Sequence, residues 1–261
     1  MKALKFLLLI ILFSCKSYME YTAGCKEIDY SFDNASVRRF HDLETALKHP
    51  ERVIFLDISA ARVKDPHSVF YELNETITKF THLKKLTLEG NDTLPIPGNI
   101  FKMQKLEFLA LTSFKDTSKL SQLNWLQNLR FLSLDFCGLD HLPSSVLLLK
   151  NLQGLDLTGN EISYLPEEFS VFRELITIDL TNNLFTEVPS VLRQNQKLKY
   201  IDLNNAEGTE REKLSVYRVG VNDIKRMPDL WEFKSLREIY ITHAYPGVDS
   251  LQRQYAHVKV R

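Results

Sequence analysis

Two periods of apolar residues run through this chain, one nested in the other. Within the stretch LQGLDLTGNEISYLPEEFSVFRE, Leu152 to Glu174, Leu155 and Leu157 alternate with polar residues as in a half-buried strand. On the longer scale, Leu83, Leu106, Leu129, Leu152, Leu175 and Leu198 recur at steps of 23 residues. Each opens the strand pattern L-x-x-[LI]-x-L, and most continue with x-x-[NC] and two apolar sites. Pro143, Pro166 and Pro189 fall in step with it. The copy that follows, LITIDLTNNLFTEVPSVLRQNQK, aligns on the first without a gap. A fixed period in this range means units that cannot bury an apolar face alone and therefore stack. The pattern predicts a solenoid with one short strand per unit.

The same motif resembles that of the leucine-rich repeat family. The resemblance implies an α/β leucine-rich repeat solenoid, a curved horseshoe with parallel strands on its concave face. It also implies that the asparagine site points inward and satisfies buried backbone groups. Asn91, Asn160 and Asn183 hold that site, and Cys137 is an accepted variant there. Ahead of the first unit, DLETALKHPE reads as an amphipathic helix with Asp42 as N-cap and Leu43, Ala46 and Leu47 on its buried face. This helix feeding LDIS is similar to the entry of bacterial repeat proteins of the 23-residue type, so residues 41–52 are expected to be an N-terminal capping helix.

About eight units then fill residues 53–244. The first is long, and the residues after Pro66 suggest a longer convex helix. The unit from Leu106 departs from the pattern, with Phe114 at the asparagine site and Asp116 at an apolar site. After Leu198 the period breaks, and the next regular strand opens at Leu236. Either an insert lies near 206–221, or Leu214 opens a unit of its own; the shortness of such a unit favours the insert. Residues 245–261 are expected to form a C-terminal cap.

Alternation along each strand sends two rows of side chains outward. One row carries Phe55, Lys85, Phe108, Phe131, Gly154, Thr177, Tyr200 and Glu238. The next carries Asp57, Thr87, Ala110, Ser133, Asp156, Asp179, Asp202 and Tyr240. Phe108, Phe131 and Phe136 are expected to form an exposed aromatic patch, the kind of surface that marks contact. Asp156, Asp179 and Asp202 would stack as like charges. They have an ordinary explanation too, because LDL is family consensus and Thr158 and Thr181 can hydrogen-bond them. With Tyr200, and with Tyr217 and Arg218 of the insert, these residues are the candidate partner-binding surface. Cover of both rows by the chain's own leader is the alternative.

The start of the chain adds a location. Met1 to Lys5 is basic, Phe6 to Phe13 is apolar, and Ser14-Cys15 follow at once. This is the layout of a secretory signal peptide and is too short for a permanent span. Leu12-Phe13-Ser14-Cys15 resembles a bacterial lipobox, which implies removal of residues 1–14, acylation of Cys15 and residues 15–40 as tether and leader. Thr22 to Cys25 is a poorer lipobox, cut off from the apolar run by Lys16 and Glu20. The resemblance implies a lipid-anchored cell-envelope protein, expected at the outer membrane, with the anchor its one membrane contact.

Composition excludes more than it adds. Lys+Arg and Asp+Glu both number 33, which removes any bulk electrostatic case for nucleic acid. The seven histidines are scattered and no Cys/His spacing suits a metal. A Cys25–Cys137 disulfide is conceivable outside the cytoplasm. No nucleophile elbow, phosphate loop or dinucleotide fingerprint is present, so neither enzyme nor cofactor is expected. The expectation is a protein-binding module, with a structural role in the envelope as the alternative.

Overall fold

The computed structural model describes residues 39–205, 221–241, 245 and 248–260. The proposed signal peptide, Cys15, Cys25, Tyr217 and Arg218 lie outside the described residues.

Ten strands form one parallel sheet in strict chain order. They are β1 (Arg39–Phe40), β2 (Phe55–Ser59), β3 (Lys85–Glu89), β4 (Phe108–Thr112), β5 (Phe131–Ser133), β6 (Gly154–Asp156), β7 (Thr177–Asp179), β8 (Tyr200–Asp202), β9 (Glu238–Tyr240) and β10 (Lys259–Val260). Strands β2 to β9 supply one strand to each unit counted in the sequence. Their register is the repeat register: Leu86, Leu109, Leu132, Leu155, Ile178, Ile201 and Ile239 face one another across successive pairs. These side chains and the opening leucines are essentially without solvent contact and belong to one continuous apolar core. The stack is therefore held by nearest-neighbour burial.

The return half of each unit is built mostly from short 3-10 turns, such as Gly98–Lys102, Glu167–Val171 and Ser190–Gln194. The first unit instead carries α2 (Pro66–Thr76), started by Asp65 as N-cap and by a proline at its head. It buries Phe70 and Leu73. Before it, α1 (Leu43–Lys48) begins at Asp42, whose carboxylate accepts from the Thr45 N–H at 2.7 Å. Leu43 and Ala46 are buried and Leu47 is half-buried, much as the helical spacing suggests.

Two end strands were not expected. The last leader residues form β1, which pairs with β2, and the segment after the repeats forms α3 (Val248–Gln254) and then β10 on β9. Strand β8 pairs directly with β9, Tyr200 opposite Glu238, so the sheet is continuous from the Leu198 unit to the Leu236 unit.

The irregular unit from Leu106 keeps its place by exchanging one interior filler for another. Phe114 is fully buried at the asparagine site and its ring lies over Gly90, where a Cβ would come within 2.5 Å of it. Asp116 does not enter the core; its carboxylate accepts at 3.1 Å from the N–H of Ser118, the first residue of the 3-10 turn Ser118–Trp125.

Candidate functional site

The inward asparagines define one side of each strand's end. The Asn160 amide donates to the carbonyls of Leu134 (2.9 Å) and Leu157 (2.8 Å) and accepts from the Leu139 N–H (3.0 Å). Asn183 repeats this with Leu157, Leu180 and Ile162. One position of the set departs from expectation. Asn91 is exposed and bonds locally to Thr93 and Leu94, while Phe114 fills the interior in the next unit. Cys137 is a free, buried thiol within reach of the Leu111 carbonyl, and burial pushes its pKa up to about 12. That makes it inert as a nucleophile.

The ladder also crosses the break in the period. Asn222 donates to Leu180 (2.9 Å) and Leu203 (3.1 Å) and accepts from the Phe185 N–H (2.9 Å), the partners an asparagine eight residues after Leu198 would take. Asn205 closes the neck: its amide donates to the Asn222 carbonyl and accepts from the Asn222 N–H, both at 2.8 Å.

The residue before the inward site is left-handed in successive units. Ser113, Phe136, Gly159 and Asn182 have φ of 61°, 57°, 69° and 52°. Each sends its N–H to a carbonyl of the next unit, to Asp135, Thr158, Thr181 and Asn204 in turn. Phe136 therefore does not extend the concave aromatic row. It sits at the turn with its ring over Gly159.

Residues 127–185 match the family model described as leucine rich repeat. The fold is a leucine-rich repeat solenoid. No curated protein matches the chain. Among solved structures, a leucine-rich repeat protein from Leptospira interrogans is 21% identical, with TM-score 0.48 over 86% of this chain and 69% of that one. Internalin C2 of Listeria monocytogenes is 19% identical, with TM-score 0.41 over 66% of this chain and 67% of that one. For internalin F of the same organism the values are 18%, 0.44, 71% and 58%.

On the concave side of this leucine-rich repeat sheet the outward rows form as read, but they are not open. Phe108 and Phe131 stack at 4.5 Å between ring centroids, 10° from parallel. The Lys85 ammonium lies 4.1 Å from the Phe108 ring and 4.8 Å from Phe55, and the Arg39 guanidinium lies 4.2 Å from Phe55. The result is a row in which cations and rings alternate from β1 to β4 and a second ring follows on β5. Yet Lys85, Phe108 and Phe131 are only 2%, 4% and 3% exposed. The exposed aromatic patch read from the sequence is thus corrected to a buried one. Alternation reveals which face a side chain takes, not what else lies on that face. Tyr200, Asp156 and Asp179 are buried as well, and Asp202 is half-buried.

The acidic row is satisfied locally before it meets anything else. Asp156, Asp179 and Asp202 each accept the N–H two residues on, at 2.9 Å, and Thr158 donates its hydroxyl to Asp179 at 3.0 Å. Sequence reasoning missed Asp135 and Glu89, which extend the row. Asp135 accepts from the hydroxyls of Thr112 and Ser133, both at 2.7 Å. Position alone could have found them, since they point outward one step beyond the aspartates. Burial and then neighbouring carboxylates push Asp156 well above the usual carboxylate range. Asp135 is also raised by burial. Asp202 reaches about 8, through burial and then the Asp179 charge, and burial takes Glu89 to about 7.

At the entry rim of the strands a shallow groove of about 580 Å³ is lined by Lys84, Glu107, Arg130, Gln153 and their neighbours. Its charges are largely internal pairs: Lys84 bonds Glu107 at 2.7 Å, and Arg130 lies 3.9 Å from the same carboxylate while donating to the neutral Gln153 at 2.9 Å. Among the described residues no group of three or more His, Cys, Asp or Glu could hold a metal, and no helix is long and apolar enough to cross a membrane.

Proposed function

We propose that the chain is a non-enzymatic protein-binding module, lipid-anchored through Cys15 in a cell envelope, that takes its partner on the concave face. The observation that supports this is the continuous row Arg39, Phe55, Lys85, Phe108, Phe131 held in register by the sheet. Aromatic and cationic side chains fixed by packing lose little freedom on contact, and such groups dominate binding energy. The leucine-rich repeat fold generally mediates contacts between proteins, which fits the same reading. The alternative, a structural envelope role with no exchangeable partner, is favoured by one fact: the concave rows are already buried.

Capture from envelope extracts compares four full-length proteins. Wild type and a convex-side control, Trp125→Ser with Leu148→Ser at two half-exposed residues, should capture the same partner. Phe108→Ala with Phe131→Ala, and separately Tyr200→Ala, should lose it at least tenfold while keeping a folded far-ultraviolet spectrum. Equal capture by all four sinks the concave assignment. For the anchor, Cys15→Ser should abolish fatty-acid labelling and move the protein to the soluble fraction. Labelling that survives there and vanishes in Cys25→Ser would reassign the anchor.

A further inference from the structure

The outward rows cannot bury themselves. In a sheet the neighbouring strands, about 4.8 Å away, cover the flanks of a side chain but not its outer edge. Phe131 makes the point most sharply. One ring face meets Phe108, but the residue across from it on the other side is Gly154, which has no side chain. Thr177, beyond that gap, is buried as well. The described helices and turns pack mainly among themselves and at β1 and β10. His41 and Arg62 reach the face, but only at Asp57 on β2.

We propose that the concave face is occupied by the chain's own leader, residues 16–38. The leader runs directly into Arg39, which pairs opposite Phe55 and lays its guanidinium over that ring as the first member of the row. The leader therefore ends at the edge of the face to be covered. The buried row extends from β2 to β8, about 29 Å at strand spacing, which nine extended residues span. Residues 16–38 exceed that length. The segment 206–220 does not serve as well: its two ends meet at the Asn205–Asn222 neck beside β8. Going out and back, it reaches about 24 Å at full stretch, enough for Phe131 and Phe108 but short of Phe55, so it cannot cover the whole row alone. The leader also has matching chemistry. Tyr18, Tyr21, Tyr30 and Phe32 supply rings for the phenylalanine pair, and the tyrosine hydroxyls are donors for carboxyls that burial leaves costly. A partner for this face must displace the leader first.

The test needs no partner, so it stands or falls apart from the binding proposal. A photoreactive benzoylphenylalanine replaces Phe131 in the full-length protein, and Thr177 in a second version in case the first fails to fold. After irradiation, trypsin separates peptides 17–26 and 27–38 from those of 1–15 and 206–220. Most crosslinked product should carry peptide 17–26 or 27–38. Crosslinks chiefly to 206–220, to 1–15 or to a second copy of the chain, or no crosslink at all in a folded protein, overturn the proposal.

Discussion

At Gly159 two demands meet in one residue. Its φ of 69° lies in the left-handed region, and a Cβ there would stand 2.4 Å from the Phe136 ring. The backbone demand alone can be tolerated, since Ser113 and Asn182 hold the same shape with side chains. Together they require glycine. Gly159→Ala should cost about 2 kcal/mol of stability in urea denaturation, or several degrees of melting temperature. Adding Phe136→Ala should restore part of the loss, because the displaced ring is gone. Full additivity of the two changes would show that the ring contact is irrelevant and the backbone alone sets the cost.

At the scale of the strand row, the carboxyls make stability depend on pH. Asp202 and Glu89 are raised to about 8 and about 7 in the folded chain, against ordinary values near 4. The folded state then binds protons that the unfolded state has released. Between about pH 4 and pH 8 the unfolded chain holds fewer protons, so stability falls as pH rises through this window. Melting temperature should therefore increase on going from pH 8.5 to pH 5.5. Asp202→Asn should raise it at pH 8.5 by about 2–4 °C, a stabilisation of roughly 1 kcal/mol, and flatten the slope. A melting temperature that falls on acidification would mean these carboxyls are ionised and paired.

The same row shows how far the sequence could be read. The interior leucines were legible because burial repeats every unit and alternation assigns each residue to a face. The stacking of Phe108 on Phe131 followed from equal offsets in neighbouring units. Their burial did not, since nothing in a strand's period records a cover lying across it. Phe136 was misplaced for a local reason: its left-handed backbone takes it out of the strand's alternation, and phenylalanine gives no hint of that conformation.

For the molecule as a whole, Asn222 matters most to continuity. It carries the inward hydrogen bonds past the break in the period and lets β9 pair with β8 in register. Asn222→Ala would leave the Leu203 carbonyl and the Phe185 N–H short of a buried partner, at a cost of roughly 3 kcal/mol. In a stack coupled only through neighbours, that loss should uncouple the end from the rest. Urea denaturation followed by hydrogen exchange should show β9 and β10 losing protection before β4 to β7. A single cooperative transition at lower urea would show that the units beyond the break are not separable.

The charged strands at either end bear on how this molecule behaves in a crowd. A ten-strand parallel sheet with long terminal strands would be a template at both ends, ready to recruit another copy and grow into a fibre. Here the described part of each terminal strand carries an exposed positive charge, Arg39 on β1 and Lys259 on β10. A positive charge at each end repels its counterpart on a second copy that would add in register. Charge at the two ends thus works against polymerisation in a protein whose interior strands would otherwise be well suited to it.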